Sequence, residues 1–137
     1  MPKPKVLFIC LGNSCRSIMA EAIARHRCGD RWEAASAGLS PLGFVAPETL
    51  VVLAEMGVNP AGLHSKGLRA FDLTEFHLLV NLTDQALQGR IPDSAVKVLQ
   101  RPVLDPYGCS LEVYRRSRDA ITRVIIRELC REEESGP

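Results

Sequence analysis

Cys10 and Arg16 stand six positions apart in "CLGNSCRS", between an apolar run and the start of a helical pattern. A loop that feeds a helix N-terminus turns successive backbone N–H groups inward and adds the helix dipole, so it suits an anion. Gly12 and Asn13 are residue types that tolerate the backbone angles such a turn demands. Arg16 contributes a planar fork of donors matched to two oxygens of a phosphate. Leu11, Gly12, Asn13, Ser14, Cys15, Arg16 and Ser17 therefore form a candidate cradle for a tetrahedral oxyanion. The same positive field favours thiolate over thiol at Cys10 and places a nucleophile in line with a bound phosphorus. Ser14 and Ser17 are placed to hydrogen-bond the sulfur and the loop. The G-x-x-x-x-G-K-[ST] spacing of a nucleotide-cradling loop is absent, which disfavours ATP or GTP.

The elements that position these groups follow from periodicity. "KVLFIC" (Lys5–Cys10) is a continuous apolar run of strand length, as in a strand covered on both faces. Ser17 to Cys28 reads as a helix with Ile18, Met19, Ala22 and Ile23 on one face, stopped by Gly29. "WEAASAG" (Trp32–Gly38) reads as a second strand, and Pro47–Met56 as a helix with Pro47 in its first turn and Gly57 at its end. Phe76–Leu82 and Ala95–Leu99 read as third and fourth strands. Ser110 to Arg131 reads as a last helix, with Leu111, Tyr114, Ile121, Val124, Ile125 and Leu129 at three- and four-residue steps. Strands alternating with helices imply a parallel sheet with helices on both faces, and ligands bind beyond the carboxyl ends of its strands.

The chain has 137 residues, 46% of them hydrophobic, which is material for one domain. Seventeen basic and sixteen acidic residues leave a charge of +1, with no long block beyond the acidic end Glu132–Glu134. A nucleic-acid protein normally concentrates basic surface, so no nucleic-acid partner is expected. No apolar segment approaches the ~20 residues of a membrane span, and "MPKPK" lacks a signal-peptide core, so no membrane partner and a cytoplasmic location are expected. Five cysteines, Cys10, Cys15, Cys28, Cys109 and Cys130, lack the regularity of a stapled scaffold or structural zinc site. They are expected to be mainly free thiols, with Cys28 and Cys130 in packing roles.

With "CLGNSCRSIMAEAI" read in this way, the chain resembles the low-molecular-weight protein tyrosine phosphatase family, which also contains the thioredoxin-coupled arsenate reductases. The resemblance covers nearly the whole length. It extends through "SAG" (Ser36–Gly38), "HSK" (His64–Lys66) and "DPYG" (Asp105–Gly108). It implies one domain over residues 1–137, a three-layer α/β sandwich whose four parallel strands run in the order 2-1-3-4. It further implies that Cys10 is the nucleophile, Arg16 binds the phosphoryl oxygens and Asp105 is the general acid. Asn13, Ser17, Ser36 and His64 would support the loop by hydrogen bonds, and Leu11, Leu39 and Tyr107 would line the substrate pocket. Cys15 would protect Cys10 by a reversible disulfide. Neither cofactor nor metal is implied. The implied partners of a monomeric enzyme are a phosphorylated protein or small aryl phosphate, with phosphate, sulfate, arsenate and vanadate as inhibitory oxyanions.

Two departures from the family pattern bear on substrate. Only Tyr107 follows Asp-Pro, where typical members carry two tyrosines, and Leu39, Leu42 and Phe44 follow "SAG" in place of bulky aromatics around the pocket. Arsenate is also a tetrahedral oxyanion, so the loop by itself allows an arsenate reductase that draws electrons from thioredoxin or a small thiol. In the thioredoxin-coupled reductases two further cysteines follow the third strand, whereas "NLTDQALQGRIPD" has none. Cys109, just beyond the acid loop, is the remaining candidate for such a relay. A phosphate-binding module without catalysis is the third reading, although nucleophile, arginine and acid are all retained.

Overall fold

The computed structural model describes residues 2–91 and 96–130. The acidic end, Arg131 and the expected strand start at Ala95 lie outside the described residues. Four strands, β1 (Lys5–Cys10), β2 (Glu33–Gly38), β3 (Leu78–Asn81) and β4 (Lys97–Gln100), form one sheet in the order β2-β1-β3-β4. Every pairing is parallel, and the register sets Cys10 beside Gly38 and Ile9 beside Asn81. The order places β1 centrally, and its apolar run is buried from Val6 to Cys10. β4 is an edge strand with mostly exposed residues, which explains its weaker apolar signal.

Alternation along β1 divides the core in two. Val6 and Phe8 face the cluster built by α1 (Arg16–Cys28), α2 (Pro47–Glu55) and α3 (Leu111–Leu129), including Met19, Ile23, Leu53, Tyr114, Ile121 and Ile125. Leu7 and Ile9 face the other cluster, with Leu79, Phe76 and Leu87. The two faces differ in what covers them. The first carries the three α-helices; the second is covered by short 3-10 helices at Leu68–Ala70 and Leu73–Glu75 and their adjoining loops. Each large apolar side chain sealed in this way contributes roughly 1.5–3 kcal/mol.

The expected packing roles for Cys28 and Cys130 require correction. They form a disulfide, with Cα atoms 6.3 Å apart, that joins the end of α1 to the residue after α3. The two helices pack against each other and bring together positions 102 residues apart, a proximity that neither local pattern contains. Cys10, Cys15 and Cys109 are free. Glu55 at the end of α2 receives Arg115 and Arg118 of α3, at 2.8 and 2.7 Å. These guanidinium hydrogen bonds and charges hold the Glu55 carboxyl at about 2. Among the described residues, no helix is long and apolar enough to cross a membrane.

Candidate active site

β1 delivers Cys10 to the carboxyl edge of the sheet, and the chain then turns through Leu11–Cys15 into α1. Among the described residues no side chain caps α1, which leaves the amides of its first turn open to an anion. Of the two residues expected to take unusual backbone angles, only Asn13 is left-handed, with φ 46°. Gly12 matters for its size: a Cβ there would stand 2.9 Å from Leu42 Cγ. Gly38 lets β2 approach the loop, because a Cβ would meet Leu11 O at 2.8 Å and Asn13 N at 2.9 Å.

The sulfur of Cys10 is buried among donors. Asn13 N–H donates to Sγ at 3.3 Å, and Ser17 Oγ lies 2.9 Å from it. Asn13 Nδ2 donates to Ser17 Oγ at 2.7 Å and to Ser36 Oγ at 3.0 Å, while Asn13 Oδ1 accepts Lys66 N–H at 2.7 Å. Ser36 Oγ–H donates to the buried carboxylate of Glu21 at 2.5 Å. His64, expected in this network, lies outside it: its ring is exposed and approaches Gly62 O at 3.2 Å. Lys66, two residues on, takes that place because a bridge between Gly38 and Gly67 draws its backbone against β2. Lys66 and Glu21 are the functional candidates that the sequence reading missed. A carboxylate set inside the apolar run "IMAEAIA" was the available signal for Glu21.

Arg16 is nearly buried, and Nη1 donates to Leu82 O and Val103 O, both at 3.2 Å. Nη2 lies 3.5 Å from Asp105 Oδ2, across the cleft. The backbone carbonyls fix the plane of the guanidinium, and its outer edge is left to an acidic partner. Asp105 is 46% exposed at its side chain and accepts Tyr107 N–H through Oδ1 at 3.1 Å. Ser117 of α3 donates to Leu104 O at 2.9 Å and tethers this loop.

A cleft of about 290 Å³ is lined by Cys10, Leu11, Gly12, Ser14, Cys15 and Arg16 on one side and Asp105 and Tyr107 on the other, with Ser40 and Leu42 completing it. Leu11 and Tyr107, expected at the substrate pocket from the family resemblance, line this cleft. Leu39 does not; it packs in the core cluster on the far face of β1, and its neighbours Ser40 and Leu42 supply the wall. A one-residue displacement turns a side chain to the other face of an extended segment. Tyr107 leans against Phe44, ring centres 6.4 Å apart.

Cys15 also lines the cleft, and its Sγ lies 3.4 Å from Tyr114 Oη. Burial pushes the Cys15 thiol up, partly opposed by hydrogen bonds to Tyr114 and Thr49. Burial and the Cys15 contact likewise raise the Tyr114 hydroxyl, so this pair stays protonated beside the loop. Ser14 Oγ is buried without a partner among the described residues, while its carbonyl accepts Thr49 Oγ–H at 2.9 Å. Among the described residues, no three His, Cys, Asp or Glu side chains converge as a metal-ligand set.

A family model described as low molecular weight phosphotyrosine protein phosphatase matches residues 5–133. "Arsenate reductase 2" of Staphylococcus epidermidis is 32% identical over 126 residues, covering 91% of this chain and 95% of the relative. Among solved structures, the low molecular weight protein tyrosine phosphatase from T. tengcongensis is 32% identical with a TM-score of 0.81, over 94% of this chain and 99% of that one. "An arsenate reductase in the phosphate binding state" is 26% identical with a TM-score of 0.82, over 93% of this chain and 98% of that one.

Proposed function

Because the chain belongs to the low molecular weight phosphotyrosine protein phosphatase family, we propose that it hydrolyses phosphate monoesters through Cys10. The observation that carries this reading is the convergence of Cys10, Arg16 and Asp105 on one cleft, with Arg16 and Asp105 paired at 3.5 Å. An entering phosphoryl group takes the outer edge of the Arg16 fork and frees the Asp105 carboxyl for the leaving oxygen. The Cys10 thiolate attacks phosphorus, and the bond to the leaving oxygen breaks as that oxygen takes the Asp105 proton. The Asp105 carboxylate then takes a proton from water, which attacks the phosphocysteine and releases phosphate and the thiolate. The apolar lip of Leu11, Leu42 and Tyr107 suits an aryl leaving group, on a phosphorylated protein or a small aryl phosphate.

Arsenate reduction is the second reading, and the names of the curated relatives support it at least as well as tyrosine-phosphate hydrolysis. The segment after β3 favours hydrolysis. Residues 82–96 contain no cysteine. Its start is also pinned by side chains: Thr83 Oγ–H donates to Asn81 Oδ1 at 2.7 Å, Asn81 Nδ2 donates to Gln100 Oε1 at 2.8 Å, and Gln100 Nε2 donates to Thr83 O at 2.7 Å. A thiol relay needs a second sulfur that can travel to Cys10, and residues 82–96 supply none.

A paired assay on the reduced protein separates the two: phosphate release from an aryl phosphate, and arsenate-dependent oxidation of thioredoxin or a small thiol. Phosphate release that Cys10→Ala abolishes, without an arsenate response, is the expected result. Arsenate-dependent turnover that also requires Cys109 would replace hydrolysis by the second reading.

A further inference from the structure

Glu21 is a charged residue only 2% exposed, and none of the steps above uses it. Its carboxylate faces Arg25, one turn along α1, Lys66 Nζ at 3.5 Å, and the Ser36 hydroxyl. A carboxylate only accepts, so Ser36 must spend its single proton on Glu21 and turn its lone pairs elsewhere. They receive Asn13 Nδ2 at 3.0 Å and Lys66 Nζ at 3.3 Å. The backbone N–H of Lys66 holds Asn13 Oδ1, which prevents the amide from flipping. The other Nδ2 proton of Asn13 goes to Ser17 Oγ, leaving the Ser17 proton for the sulfur of Cys10, 2.9 Å away.

From this chain of contacts we propose that Glu21 and Lys66 are positioning residues that orient the Ser36–Asn13–Ser17 hydrogen bonds toward the Cys10 sulfur. The donor directions diverge from the Asn13 amide, through Ser17 to the Cys10 thiolate at one end and through Ser36 to the Glu21 carboxylate at the other. Lys66 serves twice, through its backbone N–H on Asn13 and its ammonium beside the buried carboxylate. That ammonium also reaches His64 O at 2.9 Å, so its head group is held at three points. Burial lowers the affinity of Lys66 for its proton, and Glu21 opposes that shift. In Asn13, the left-handed backbone and the doubly donating amide belong to the same residue, so a loosened amide also loosens the turn over the sulfur.

The inference rests on Cys10 being the reactive thiolate, and its test is independent of turnover. The probe is the rate of Cys10 alkylation by iodoacetamide at pH 7, followed by mass spectrometry of the Cys10 peptide in folded protein. Glu21→Gln keeps the volume of the side chain, but its amide cannot accept from Ser36, Lys66 and Arg25 together. About tenfold slower alkylation is expected, the worth of one hydrogen bond to a charged group. Lys66→Met should slow it similarly, with recovery in Lys66→Arg. Ser36→Ala cuts the chain between Glu21 and Asn13, so adding Glu21→Gln to it should slow alkylation little further.

Rates within twofold of the parent in folded Glu21→Gln or Lys66→Met would overturn the proposal, as would full additivity with Ser36→Ala. If Glu21→Gln does not fold, the Lys66→Met and Lys66→Arg pair decides alone. Slowed alkylation in a protein that hydrolyses no ester would leave this inference standing and reject the proposed hydrolysis. Hydrolysis with unchanged alkylation would do the reverse.

Discussion

The two walls of the cleft are built in opposite ways. On the nucleophile side, Asn13 and Ser17 are fully buried, Cys10 is 2% exposed, and Asn13 N–H and Ser17 Oγ both reach the sulfur within a connected set of hydrogen bonds. On the acid side, Asp105 is about half exposed, Leu104 is 60% exposed, and Tyr107 meets Phe44 at the rim. The first wall is set before substrate arrives; the second is held mainly by the Arg16 pair and the Ser117 tether. In the proposed hydrolysis, preorganisation is useful where charge must be stabilised throughout, whereas an acid must change partners on the way. Arg16 joins the two walls, fixed by backbone carbonyls at one nitrogen and paired with Asp105 at the other, where the proposed hydrolysis has a phosphoryl oxygen take its place.

The largest effect that tests this contrast is expected from Arg16→Lys. An ammonium cannot hold Leu82 O, Val103 O and the phosphoryl group together, so kcat should fall on the order of 10²–10³-fold. A steady-state assay showing a change in KM alone would remove Arg16 from the reaction's electrostatics. Asp105→Asn comes next. With a poor leaving group the loss should reach about 10²–10⁴-fold, and with an activated aryl phosphate it should be small. Equal losses across a series of leaving groups would mean that the exposed wall supplies no acid.

Gly38→Ala probes the rigid wall by geometry. Its Cβ would press on backbone atoms of Leu11 and Asn13, which cannot swing aside as a side-chain end can. Thermal unfolding should show a loss of about 1–3 kcal/mol, together with reduced activity. An unaffected Tm would indicate that the loop yields more readily than its hydrogen bonds suggest.

The smallest effect should come from Glu55→Gln, remote from both walls, which weakens only the surface tie between α2 and α3. The Glu55 carboxyl is depressed in the fold to about 2 from its ordinary 4.5. Its contribution is therefore present above about pH 4.5 and is lost as pH falls toward 2. Acid unfolding curves of parent and Glu55→Gln should accordingly converge at low pH while differing slightly at neutral pH, with activity unchanged.

What could be read from the sequence divides along similar lines. The strand, loop and start of α1 are consecutive, so local pattern placed Cys10 and Arg16 in one cradle, and the parallel sheet followed from alternating elements. Asp105 entered from the family resemblance, with general-acid chemistry in support. Glu21, Ser36 and Lys66 meet only because β2 lies beside β1 and the segment ending at Gly67 bridges to Gly38. A lysine 45 residues beyond Glu21 gives no local sign of that contact. The same reason hid the disulfide between Cys28 and Cys130. Leu39 and His64 show a different limit: each neighbourhood was correct, but small offsets along extended chain placed the wrong side chain in the site. Edge strand β4 was legible only approximately because it buries little.

The most direct test of the central claim is rapid quenching of the reduced enzyme during turnover of an aryl phosphate, with mass spectrometry of the Cys10 peptide. A phosphoryl adduct on Cys10 is expected that forms as fast as the phenol is released, persists longest where water attack is slowed by Asp105→Asn, and is absent in Cys10→Ala. Phosphate release at full rate without that adduct, or with the adduct on another residue, would contradict that claim.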